Sequence, residues 1–400
     1  MIKKIALLLS LNTLLMSFMA HSKTLNTGPW RFELRATHGT IPFVIDIKKK
    51  NNHFSGVLHN GEETIQLKGL TFANDELKIP LQMYEMSLDM KLSAQDSMTG
   101  FLIRHNKKPE VKTPVFALHG EKERFPEEKS KPRIDLNGRW KVVMTDEQEL
   151  KTDGIIVFKQ KGNDLHGTIL TPTGDYRYFE GFVSGVEFEA ASFDGVYNYL
   201  LRGVVQDGKL KAKILANYRT AVEGSKDDKA QLPDAYKQTQ VTALNFEFPD
   251  LTGKKVSLKD PKYLNKPVII TFFGSWCPNC IDEMNYLIPW YNENHKRGIE
   301  IVALAFERSL TEADAKKQLM KVQKTKKVPY ALLLAGSTSA DKPAEKIPGL
   351  KNFIAFPTTV FLNKNHEVVK VHAGFNGPST GEFYEKWKTE FTQTVSELLK

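Results

Sequence analysis

Cysteine is almost missing from this chain: four hundred residues hold two, Cys277 and Cys280. Two cysteines separated by two residues close only a tiny loop, so no disulfide framework staples the domains. A second ligand pair is missing too. Zinc needs four ligands, and His295, His366 and His372 have no ligand-like spacing, so the sequence implies no metal. A peroxide-reducing centre needs a threonine three residues before its attacking cysteine, and Gly274 stands there. Massed positive charge is also lacking. The formal net charge is +9, with Lys and Arg scattered rather than clustered among aromatics, which gives no nucleic-acid signature. The densest patch, six lysines from Lys316 to Lys327, reads as a solvated helix face, with a docking surface as the alternative.

Long apolar runs are confined to the start. Lys3 and Lys4 precede an apolar stretch from Ile5 to Ala20, broken by Asn12 and Thr13 and followed by Ala20-His21-Ser22. Residues 1–22 therefore read as a signal peptide, and the expected location is exported, in the periplasm. The alternative, an uncleaved anchor, is disfavoured because the run is short of the ~20 residues a spanning helix needs. No cysteine stands near the cleavage point to carry a lipid, and no later stretch is long and apolar enough to span. In an exported compartment disulfides persist, so a single isolated pair is informative.

What remains is a globular composition, 41% hydrophobic and 26% charged, in a chain too long for one core. Two polar stretches, GEKERFPEEKSKPRID (120–135) and AVEGSKDDKAQLPDAYKQTQ (221–240), read as linkers. The segments before and between them repeat loosely at an offset near 110 residues. GPWRFEL (28–34) answers NGRWKVV (137–143), HFSGVL (53–58) answers DLHGTIL (164–170), and QLKG (66–69) answers YFEG (178–181). Short alternating runs separated by Gly, Asn and Asp predict antiparallel meanders, packed as two sheets or closed as barrels. The expected organisation is a β unit over 23–125, a second over 126–225, a linker over 226–243 and a different domain over 244–400. The β units read either as docking or spacer modules or as barrels holding an apolar ligand.

The last domain is α/β. VIITFF (268–273) is an unbroken apolar run, as in a strand covered on both faces. A helix follows Cys277, with Ile281, Met284, Leu287, Ile288 and Tyr291 on one stripe. Next come a strand at 299–306, a Lys-rich helix near 311–325, a strand VPYALLL, a hairpin across KNH, and a final helix with Ser379 and Glu382 as a capping box. The mixed sheet is expected to be flanked by helices. Cys277 and Cys280 thus stand at a strand-to-helix junction, with Pro278 in the first turn. Unpaired amides and the positive end of the helix dipole favour a thiolate there. Cys277 reads as the attacking sulfur and Cys280 as the one that resolves; an inert buried pair is the alternative.

The stretch FEFPDLTGKKVSLKD…PVIITFFGSWCPNCIDE, with FPTTVFLNKNHEVVKVHAG later, resembles the thioredoxin superfamily, and most the exported TlpA/ResA-like thiol-disulfide oxidoreductases. The resemblance covers residues 244–400. It implies a dithiol/disulfide centre at Cys277 and Cys280, a cis-proline at Pro357, and a substrate surface made by Trp276, Phe356 and Pro357. It also implies a proton-transfer role for Glu283, since the aspartate that thioredoxin buries six residues before its first cysteine is Thr271 here. A solvated carboxylate beside the helix N-terminus, a role open to Asp282 as well, is the alternative for Glu283. No cofactor is implied. The implied partners are protein disulfides or dithiols and a membrane thiol donor. The preferred activity is reduction; the rivals are a disulfide donor using the same site, and a non-enzymatic binding protein built on the β units. Two departures stand out: Asn285 replaces a proline common in this helix, and the segment 337–356 is longer than usual.

Overall fold

The offset of the repeat survives in atomic detail. Gly28 and Gly138 both adopt positive φ, +104° and +103°, a region that favours glycine. Two residues on, the indole N–H of Trp30 donates to Asn26 O at 3.0 Å, and that of Trp140 donates to Leu136 O at 2.8 Å. Each tryptophan is buried at the start of a closed, up-and-down barrel of eight antiparallel strands. The first barrel runs from the strand Gly28–Ala36 to the strand Val111–His119, which pair with each other to close the ring. The second runs from Gly138–Thr145 to Arg219–Lys226, closed in the same way. Strand alternation sends one set of side chains inward, and both interiors are packed with them: Phe32, Phe43 and Leu88 in one, Phe158, Phe188 and Ile214 in the other. Of the two geometries left open by the sequence, the barrel is the one formed.

The computed structural model describes residues 24–81, 84–232, 239–309, 311–337 and 343–400. Residues 1–22, expected from the sequence to be a signal peptide, and residues 233–238 of the second polar stretch lie outside the described residues. Among the described residues no helix is long and apolar enough to cross a membrane.

The two barrels pack directly on each other. Phe43 of the first stacks on Phe193 of the second with centroids 3.8 Å apart. The polar stretch 120–135 is more than a tether: Arg124 and Phe125 are buried, and Arg124 donates to Ala191 O at 2.7 Å in the second barrel and to His59 O in the first. One buried guanidinium thus satisfies carbonyls of both barrels.

The C-terminal domain is a five-stranded mixed sheet in the order 331–337, 300–307, 268–273, 358–362, 368–373. The strands Ala331–Ser337, Glu300–Glu307 and Val268–Phe273 are parallel, and Thr358–Leu362 and Val368–Ala373 complete the sheet as an antiparallel hairpin. Every residue of VIITFF is buried because both faces are covered. On one face Ile269, Phe273 and Phe361 pack against helices α1 (Pro278–Asn294), α2 (Glu312–Lys326) and α4 (Glu382–Leu398). On the other, Ile270, Phe272 and Val360 meet Leu244, Phe246 and Tyr263, together with Ile347 just after the short helix α3 (Pro343–Lys346).

One local expectation fails. Ser379 and Glu382 form no capping box; α4 begins after Gly381 without a side-chain cap. Ser379 instead donates to Asp175 at 2.9 Å and Glu382 pairs with Arg139, both in the second barrel. The partners lie more than 200 positions away in sequence, and tertiary contacts override the local pairing.

Candidate functional site

The strand Val268–Phe273 ends at Gly274, and the chain turns through Ser275 and Trp276 into α1. That turn is fixed by a buried carboxylate: Glu307 accepts from the Ser275 amide at 2.9 Å and from its hydroxyl at 2.6 Å. Burial pushes the Glu307 carboxyl up to about 7, with the two hydrogen bonds from Ser275 pulling the other way. The Trp276 indole donates to Phe306 O at 2.8 Å and carries the Arg308 guanidinium over its ring at 3.4 Å. Neither Glu307 nor Arg308 stands out in sequence, because nothing local marks a strand-end glutamate as the anchor of a loop thirty residues earlier.

Cys277 is the N-cap of α1, and its sulfur accepts the Cys280 amide at 3.3 Å; Pro278 occupies the first helical position. Both cysteines are free and buried, at 3% and 1% exposure. Burial pushes the Cys280 thiol well up, reinforced by its hydrogen bond to the Cys277 sulfur, by charge there and by Glu283. Across from the pair, the Phe356–Pro357 peptide bond is cis, and the Cys277 sulfur lies 3.7 Å from Phe356 O. The Phe356 ring meets Trp276 edge-on at 5.5 Å. The structure therefore brings Trp276, Cys277, Cys280, Phe356 and Pro357 together.

Glu283 lies one turn below, buried at 1% exposure between α1 and the sheet. It accepts from Thr271 at 2.8 Å and from Thr359 at 2.6 Å, one hydroxyl on each oxygen. Burial raises its carboxyl to about 7, against the lowering effect of Thr359 and Thr271. The solvated-carboxylate alternative does not describe it. Asp282 does not serve as a free helix-terminal charge either, because it is ion-paired with the buried Arg177 of the second barrel.

A family model described as Redoxin matches residues 238–385. The thiol-disulfide oxidoreductase ResA of Bacillus thuringiensis subsp. konkukian (strain 97-27) is 32% identical over 150 residues, which are 38% of this chain and 76% of that protein. The chain belongs to the ResA thiol-disulfide oxidoreductase family. Membership rests on its C-terminal domain, since the Redoxin match leaves both barrels outside. ResA of Bacillus subtilis (strain 168) is 29% identical over 132 residues, 33% of this chain and 65% of its own. A solved thiol:disulfide interchange protein of the thioredoxin family from Chlorobium tepidum TLS covers 40% of this chain and 97% of its own, at 20% identity and a TM-score of 0.30. As a ResA-family member with a thioredoxin-like fold, the protein is a thiol-disulfide oxidoreductase.

Proposed function

We propose that this oxidoreductase is exported and reduces protein disulfides through the Cys277/Cys280 dithiol. The observation that supports this most is the stacking of three groups at one helix end: Cys277 as N-cap, Cys280 one turn on with its amide on the Cys277 sulfur, and Glu283 buried beneath. A pair held for metal or for packing has no use for a buried carboxyl near neutrality under its second sulfur.

The Cys277 thiolate attacks one sulfur of the substrate disulfide; the substrate S–S bond breaks, a Cys277–substrate disulfide forms, and one substrate thiolate leaves. Glu283, as carboxylate, takes the Cys280 proton, either directly or through a short relay. Cys280 then attacks the Cys277 sulfur, releasing the second substrate thiolate and leaving a Cys277–Cys280 disulfide. Two electrons have passed to the substrate. A membrane thiol donor returns the enzyme to its dithiol form. Trp276 and the Phe356–Pro357 loop frame the substrate, and the Phe356 backbone is offered to an extended peptide as a main-chain partner.

Export is supported by the basic, then apolar start of the sequence. The test is reduction of a protein disulfide by full-length protein and by Cys277→Ser. Loss of turnover in the variant is expected, and undiminished turnover sinks the reading.

A further inference from the structure

The face of the C-terminal domain that has to meet a substrate is built from three chain segments. These are the CPNC turn, the Phe356–Pro357 loop and the end of the strand Val368–Ala373, where the Gly374 amide donates to Pro357 O at 2.8 Å. A segment of the second barrel lies on this face. A Cβ placed on Gly374 would stand 2.7–2.9 Å from Thr173 backbone atoms, and one placed on Gly174 would stand 2.3 Å from Asn279 Nδ2, so the two segments touch backbone to backbone at Gly374 and backbone to side chain at Gly174. Asn279, between the two cysteines, donates to Asp175 O at 3.2 Å. The Asp175 carboxylate in turn accepts from the Gly377 amide at 2.7 Å and from Ser379 at 2.9 Å. All four residues of CPNC are buried.

This segment departs from the barrel repeat. In the first barrel the strands His53–Asn60 and Glu63–Ala73 stay paired up to Asn60↔Glu63 and turn through two residues. In the second, the equivalent strands Asp164–Thr171 and Phe179–Ser184 stop pairing at Gly167↔Phe179. Residues 172–178 leave the ring, with Gly174–Asp175 held only as a short extra strand on Leu170 and Thr171. The second copy has given up part of its ladder at a connection that reaches the dithiol.

A single side chain ties the arrangement down. Arg177, at 5% exposure, pairs with Asp282 of α1, with Glu63 of the first barrel, and through Nε at 3.0 Å with Asp194 of the second. Without it three carboxylates from three units face one another, with Lys326 lining the same pocket as a remaining cation. Outer ties add Arg139 to Glu382 at 3.1 Å and Ser309 to Glu85 at 3.1 Å.

We propose that residues 171–177 are a resident occupant of the substrate-docking face, so that the protein as folded is capped and a protein disulfide reaches Cys277 only when the barrel pair lifts away, with Arg177 as the latch. The meaning of the cap rests on the oxidoreductase reading, but its existence is a matter of access to one sulfur. A minor open state populated at about 0.1–10% slows the labelling of Cys277 by the reciprocal factor, about 10- to 1,000-fold.

The test is the rate at which full-length reduced protein is alkylated at Cys277 by a maleimide carrying a long polyethylene glycol chain, compared with the same chain in urea and with Arg177→Ala. Should that variant fail to fold by circular dichroism, Arg139→Ala combined with Ser309→Ala removes both outer ties and leaves the buried cluster intact. The expected result is labelling of the wild type at least about 10-fold slower than in urea, with the gap narrowed in a folded latch variant, and reduction of a protein disulfide rising in parallel. Wild-type labelling as fast as in urea overturns the cap, as does an unchanged rate in both folded variants. If no form exchanges disulfides while the labelling gap persists, the cap stands and the oxidoreductase reading falls.

Discussion

Thr271 donates a 2.8 Å hydrogen bond to the buried carboxyl of Glu283, so the residue standing where thioredoxin carries its own aspartate here holds a carboxyl supplied from the helix. A strand and a helix are two routes by which a carboxyl is supplied beneath a cysteine pair. The helical one needs a hydroxyl at the strand position to satisfy the buried oxygen.

Glu283→Gln tests that relationship by its pH dependence. The folded carboxyl sits near 7 against an ordinary 4.5, so the folded state holds this proton more tightly than the unfolded chain does. Its contribution to stability is therefore full below about 4.5 and is lost as pH rises through about 7. The glutamine variant should match the wild type in acid and become more stable above about pH 7, by up to about 3 kcal/mol. Its exchange rate should fall about 100-fold at pH 8 and lose the inflection near 7. Chemical denaturation and single-turnover kinetics across pH check both.

Cys280→Ser should trap the covalent intermediate. With Cys277 intact and nothing to resolve it, a mixed disulfide with a protein substrate should accumulate and be visible as a mass increase on non-reducing electrophoresis. The reverse variant, Cys277→Ser, should accumulate none.

Glu307→Ala removes the acceptor for both the amide and the hydroxyl of the buried Ser275. A cost of about 2–3 kcal/mol in folding stability is expected, together with slower exchange, because the turn into Cys277 loses its anchor. Glu307→Gln keeps one acceptor oxygen and should recover most of both. Urea melts of the two variants decide it.

Trp30→Phe and Trp140→Phe remove one equivalent indole hydrogen bond from each barrel. Each should cost about 1 kcal/mol, and the double variant should show the sum, since the sites lie in separate cores. Calorimetry on the three proteins measures this directly.

Much of this molecule could be read from its sequence. The 110-residue echo of GPWRFEL in NGRWKVV marked the paired barrels, because a positive-φ glycine two residues before a buried tryptophan is a local device that copies with the strand. WCPNC after an apolar run put the two cysteines at a strand-to-helix junction, where Cys277 is the N-cap. The contacts between units could not be read. Asp282 looks like a helix-terminal charge until Arg177 is folded against it from 105 positions away. Ser379 and Glu382 have the spacing of a capping box and spend the same chemistry on Asp175 and Arg139 instead. Local pattern states what a side chain is able to do, while topology selects its partner.

The most direct measurement is an equilibrium redox titration of the full-length protein in glutathione buffers, with thiols counted by mass after acid quenching. Cys277 and Cys280 are expected to pass together from dithiol to intramolecular disulfide with a single two-electron midpoint, below about −150 mV for a reductant. Two thiols that stay reduced throughout the series, or that take up glutathione independently, would contradict the dithiol mechanism.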